Sequence, residues 1–157
     1  MRFTLIKDLK EDSMMRPILS GLLIFILIYL LSDILVKHSS FGISLESVET
    51  TLFGNEDEFI DPISTASFLE FWHMEIFFIM MTLLTLSAVY LRLAKSNRYK
   101  ILTLNLVMIS SLLALISLLL SFFISPAFIV VYIVSFYIWH IGAIYMTLYS
   151  ILKLYYD

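Results

Sequence analysis

The chain has 157 residues, of which 61% are hydrophobic and 15% aromatic, and its mean hydropathy is +0.95. Soluble globular domains are about 45–50% apolar, so this composition predicts a single integral membrane domain. The net charge is -3 and the basic residues form short clusters, which argues against a nucleic-acid-binding surface. Because cysteine is absent, disulfides, thiolate zinc sites and iron–sulfur clusters are excluded.

The first predicted element is a transmembrane span at about 17–37, which follows a charged N-terminal segment. Its apolar run is longer than the roughly 7–15 residues of a signal-peptide core, so we expect the span to be retained. Pro17 suits the first helical turn, where its missing N–H costs no hydrogen bond. Asp33, Lys37 and His38 lie at the far end of this span.

An acidic loop, predicted at 38–61, follows the first span and contains no lysine or arginine. Its carboxylates are Glu46, Glu49, Glu56, Asp57, Glu58 and Asp61. Apolar residues recur within it at three- and four-residue spacing, at Leu45, Val48 and Leu52. With Ser44 as a cap and Gly54 as a stop, this pattern predicts a short amphipathic helix at the membrane surface.

The second span is predicted at about 63–93, because Asp61 and Pro62 are typical of a helix start. It leads into a basic loop, 92–100, that contains no acidic residue. Nine of the ten Lys and Arg residues then fall on one side of a four-span topology. The positive-inside rule makes that side cytoplasmic. We therefore expect a bacterial inner-membrane protein with both termini in the cytoplasm.

The third and fourth spans are predicted at about 101–123 and 127–153, with a short turn between them. The third span has a face of small residues, which favours close helix packing and interhelical hydrogen bonds: Ser110, Ala114, Ser117 and Ser121. The predicted fold class is therefore an all-α, up-down bundle of four transmembrane helices in contact with the lipid bilayer, with one short surface helix.

Candidate functional residues lie in the stretch 70–78, where Glu70, His73 and Glu75 interrupt membrane-grade apolar sequence. An acidic charge at the bilayer centre costs about 2.5–3.5 kcal/mol on insertion scales, so such residues are candidate functional groups that need a partner. The fourth span offers His140, which follows a tryptophan as His73 does. Counted from the prolines before each span, the two histidines differ in depth by about 4.5 Å.

Two interpretations of this match remain open. In the first, His73 and His140 are the axial ligands of a haem b held between helices, with Gly142 leaving room for the ring. This plan resembles the small four-helix haem b modules, although no sequence motif carries the resemblance. In the second, Glu75 pairs directly with His140 across the bundle and no cofactor is needed. Glu70 and His73 share a helix face, but a single Glu-x-x-His is too little for a di-iron site.

Three functions are compatible with the sequence. The first is an accessory or structural subunit of a larger membrane complex or homo-oligomer, favoured because no complete catalytic constellation is present. The second is a haem b electron-transfer module in which Glu70 or Glu75 handles protons. The third is a proton-coupled transporter component with Glu75 as the titrating group. Whether the protein is an enzyme stays open, and no metal other than haem iron is expected.

Overall fold

The structure is a computed structural model that describes residues 14–94 and 97–156, with only the backbone described at 97. The charged N-terminal segment and Lys95 of the predicted basic loop lie outside these residues. The described part contains five helices: α1 (Met15–Ser40), α2 (Leu45–Phe53), α3 (Thr65–Leu93), α4 (Asn97–Phe123) and α5 (Phe128–Tyr155). Four of them are long and apolar enough to cross a membrane. The predicted fold class, including the short extra helix, is confirmed.

Helix α1 packs against the other helices along a single stripe. Its buried apolar residues follow three- and four-residue steps, as expected for one helix face: Leu19, Leu23, Ile26 and Leu30. The rest of its surface is apolar and exposed, as lipid contact requires. At the start of α1, the Ser20 hydroxyl is 2.6 Å from the Tyr155 hydroxyl at the end of α5, so the two helices are antiparallel.

Helices α4 and α5 form the most extensive helix contact of the bundle. Gly142 makes this approach possible, because a Cβ atom there would lie 2.4 Å from a methyl group of Val107. The small-residue face of α4 is buried, as packing predicts. Its serine hydroxyls, however, donate to carbonyl groups of α4 itself. The expected interhelical hydrogen bonds are therefore replaced by bonds within one helix, which satisfy the hydroxyls just as well in lipid.

Helix α3 starts later than the sequence predicts. Its N-cap is Ser64, whose side chain accepts a hydrogen bond from the Ser67 backbone N–H, and Asp61 and Pro62 belong to the preceding loop. A serine oxygen satisfies a free N–H of the first turn as well as an aspartate would. Further along, the Trp72 indole N–H donates to the Leu115 carbonyl of α4 at 2.9 Å.

Helix α2 and the residues around it cover one end of the bundle, which we call the α2 end. Ser44 and Ser47 form a capping box at its start, and Gly54 ends it with a φ of 80°. Val48 and Leu52 are completely or almost completely buried, so the predicted amphipathic helix packs on protein. The chain then forms a tight turn at 55–60 that carries three of the six acidic residues of the loop at its exposed tip: Glu56, Asp57 and Glu58.

Candidate functional site

Four ionisable side chains from three helices meet inside the bundle. Lys37 of α1 donates to Asp33 Oδ2, 2.8 Å away on the same helix, and to Glu75 Oε2 of α3 at 2.6 Å. His140 Nε2 of α5 lies 2.9 Å from the same Asp33 oxygen. We call Asp33, Lys37, Glu75 and His140 the buried network. Asp33 and Lys37 are one turn apart on α1, so both reach the same cluster.

The side chains of the buried network have very little exposed surface. Lys37 and His140 are each 1% exposed. The side chains of Asp33 and Glu75 are 9% and 12% exposed. Charges this deep are tolerated only when they are paired and hydrogen-bonded, because removing one partner leaves an uncompensated buried charge. The stability of the network therefore depends on the balance of its charges.

The contacts of His140 limit where protons can lie in the network. Its Nδ1 lies 3.1 Å from the Phe136 carbonyl oxygen, which can only accept a hydrogen bond. Its Nε2 faces an oxygen of Asp33. A neutral imidazole carries one N–H, so both contacts are satisfied only if the ring has two protons or Asp33 is protonated. With this additional proton, the two negative charges of the carboxylates are balanced by the positive charges of Lys37 and of the extra proton. Without it, the network has one net negative charge.

Aromatic rings surround these charges. The Phe136 ring lies 5.1 Å from Lys37 Nζ and 4.1 Å from the His140 ring, so it adds a cation–π contact to the network. Two tyrosines, Tyr29 of α1 and Tyr132 of α5, lie within electrostatic range of both carboxylates. They are the further titratable groups that the packed helices bring near the network.

The structure does not bring the predicted histidine pair together. His73 is exposed, whereas His140 is buried with both ring nitrogens in hydrogen bonds. His73 precedes Glu75 by two residues and so points away from the network, since each residue turns a helix by about 100°. The space expected beside Gly142 holds a methyl group of Val107. The described side chains therefore do not fit a haem between the two histidines, and haem binding stays a prediction without geometric support.

The other predicted residues divide in the same way. Glu70 is exposed and does not join the network. Glu75 does join it, but it reaches His140 through Lys37 and Asp33, so the predicted direct hydrogen bond between Glu75 and His140 is wrong. The physical reason is that two side chains of α1 lie between these groups: Lys37 donates to Glu75, and Asp33 contacts His140.

The sequence places Asp33 and Lys37 at the far end of the first span, and no role in the site is predicted for them. Two signals in the sequence indicate it. Their positions continue the three- and four-residue steps of the buried stripe of α1. Lys37 is also the one basic residue that does not follow the predicted charge asymmetry. Within residues 14–94 and 97–156, no group of three or more His, Asp or Glu side chains is arranged to hold a metal ion.

Four apolar helices around a compensated charge cluster define an integral membrane protein of the helical, multi-spanning class. Residues 42–157 match the model of the Aq_1264_TM family, which is described as a transmembrane helical domain, and the chain belongs to this family. The matched region contains α2 to α5 and starts in the turn after α1. No curated protein and no solved structure matches the chain.

Proposed function

We propose that the protein is a proton-coupled membrane protein and that the buried network is its working site, which binds and releases one proton. The observation that carries this proposal is the composition of the network: two carboxylates, one ammonium and one imidazole in mutual hydrogen-bond contact. Such a set changes between net charge zero and minus one when a single proton leaves. Ionisable groups inside a membrane bundle are typical of proton relays.

Glu75 has a defined part in this scheme. Its carboxylate supplies the negative charge that the extra proton compensates. Replacing it with glutamine removes that charge, so the network is neutral without the extra proton, and the charge balance no longer favours a second proton on His140. The prediction is specific because Glu75 acts through the charge balance and does not itself touch His140.

The proposal can be tested by NMR on protein labelled with ¹⁵N-histidine in lipid nanodiscs. The chain has three histidines, and a His140→Gln variant identifies the signal of interest. In the unmodified protein, we expect the His140 ring to change from two protons to one between about pH 5 and about pH 8, the range in which histidine ordinarily titrates. In Glu75→Gln, we expect the second ring proton to leave at a lower pH, because the charge balance no longer favours it.

Glu70→Gln is the matched control, because Glu70 is an exposed carboxylate on the same helix and outside the network. Its His140 titration should equal that of the unmodified protein. If the chemical shift of neither His140 ring nitrogen changes with pH in the unmodified protein, proton exchange is rejected. Equal titration in Glu75→Gln and Glu70→Gln would reject the charge count on which the proposal is based.

We also infer that the α2 end faces the outside. The described basic residues other than Lys37 lie at the opposite end of the bundle: Arg16, Arg92, Arg98, Lys100 and Lys153. The positive-inside rule favours a cytoplasmic position for that end. Since the chain has no cysteine, single cysteines at Glu58 and Lys153 can be tested in intact cells with a membrane-impermeant maleimide. Labelling at position 153 but not at 58 would reverse the orientation.

A second candidate function is an accessory subunit of a larger complex. The observation that favours it is a cavity of about 420 Å³ between α3 and α4, which is open on one side and lined almost entirely by apolar side chains. Such a groove suits a helix of a partner protein. Native mass spectrometry of the protein extracted in mild detergent or nanodiscs should then show a complex, and recovery of monomer alone would count against this function.

A further inference from the structure

Three of the four residues of the buried network, Lys37, Glu75 and His140, have an aromatic residue one helical turn away, on the side of the α2 end. Phe41 follows Lys37 by four residues, Phe71 precedes Glu75 by four, and Phe136 precedes His140 by four. Residues four apart share a helix face. Since α3 and α5 enter the bundle at the α2 end and α1 leaves there, all three rings lie between the network and that end.

These rings form a continuous layer. Phe41 stacks on Phe71 with a centroid distance of 4.5 Å and an angle of 12° between the ring planes. Phe41 also meets Tyr132 edge-on at 6.3 Å, and Tyr132 lies 6.0 Å from Phe136. We call Phe41, Phe71, Tyr132 and Phe136 the aromatic layer. Phe41 and Tyr132 are 3% and 4% exposed, so both rings are buried.

The opposite side of the network is thicker on all three helices. Several turns of buried side chains from α1, α3 and α5 lie between it and the other end of the bundle: Ile26, Leu30, Ile79, Leu83, Leu86, Ala143 and Met146. Lys37, in contrast, is three residues from the end of α1. The shortest route from water to the network therefore passes through the aromatic layer.

We propose that the aromatic layer is the gate of the network: protons enter and leave at the α2 end, and Phe41 is the ring that must move. This inference depends on the proposed proton exchange. Phe41 is suited to this role because it lies outside the helices, in the turn between α1 and α2, next to Gly42 with its φ of 95°. The other three rings are fixed on the long helices α3 and α5.

The test measures how fast the His140 ring N–H protons exchange with water, by NMR in lipid nanodiscs. Phe41→Ala removes the central ring and should raise the exchange rate about tenfold or more, because local opening then requires less free energy. Phe41→Leu keeps most of the volume and should give an intermediate rate. Circular dichroism and the His140 chemical shift show whether each variant keeps the fold and the network.

Two control variants separate the gate from a general loss of packing. Phe122→Ala removes a ring that stacks on Phe68 at 4.0 Å near the same end, without touching the aromatic layer. Tyr149→Ala removes an aromatic contact with Tyr90 at the opposite end. Both should exchange at the rate of the unmodified protein.

The outcomes distinguish the gate from the function on which it depends. If Phe41→Ala exchanges no faster than Phe122→Ala while His140 still titrates, the gate is wrong and the proton site stands. If Tyr149→Ala accelerates exchange as much as Phe41→Ala, the proton enters from the opposite end or from both ends. If His140 does not titrate at all, the proposed function itself fails.

Discussion

Replacing Lys37 with methionine tests the buried network most directly. The ammonium lies between two carboxylates, 2.8 Å from Asp33 and 2.6 Å from Glu75, and both are largely buried. Without it, two negative groups face each other in apolar surroundings. Removing one partner from a buried ion pair costs about 3–5 kcal/mol. For a domain of this size, that corresponds to a fall in Tm of roughly 6–20 °C.

The assay is thermal unfolding in detergent or nanodiscs, followed by tryptophan fluorescence. Lys153→Met is the control, since it removes a lysine at the other end of the bundle. The double variant Lys37→Met, Glu75→Gln should recover part of the loss, because it removes the ammonium and one of the charges that it compensates. Such a recovery measures the coupling between contacting residues, typically 0.5–3 kcal/mol. If Lys37→Met melts at the temperature of Lys153→Met, the ammonium does not lie between the carboxylates.

Three further outcomes are expected. Ser44→Ala removes the N-cap of α2 and should destabilise this helix by about 1 kcal/mol. The α2 amides should then exchange their hydrogens faster, and unchanged exchange would contradict the cap. Gly142→Ala should lower the Tm, because the new methyl group meets Val107; an equal or higher Tm would show that the α4–α5 contact yields easily. The haem interpretation predicts reduced-minus-oxidised absorption bands that both His73→Ala and His140→Ala abolish, whereas the geometry favours protein without such bands.

The fold could be predicted because apolar length, caps and charge asymmetry are properties of local sequence. Ser44 and Gly54 bound α2 as predicted, since a cap depends on a few neighbouring residues. The start of α3 was misplaced because Asp61–Pro62 and Ser64 are both good start signals, and local sequence does not decide between them. The residue that caps the helix is the one whose backbone direction brings its side chain next to the free N–H groups of the first turn.

The site could be predicted only in part. Glu75 lies 13 residues after Pro62 and His140 lies 14 after Pro126, which predicts one level for both, and in the structure both belong to one cluster. The predicted direct contact between Glu75 of the second span and His140 of the fourth span is wrong. A partner on a third helix depends on how the helices are rotated about their axes, which the sequence does not specify. The predicted end of the first span at 37 also places Lys37 at the water boundary, whereas α1 continues to Ser40 and Lys37 is buried.

Helix α1 lies outside the region that matches the family model, yet it contributes two residues to the site. The matched region, 42–157, contains Glu75 and His140, but Asp33 and Lys37 precede it. In this chain, the α3 and α5 groups obtain their hydrogen-bond partners from α1. Without those partners, a carboxylate and an imidazole would be left unpaired inside the bundle, which is strongly unfavourable. Helix α1 is therefore a component of the site, because it supplies both the ammonium that binds Glu75 and the carboxylate that binds His140.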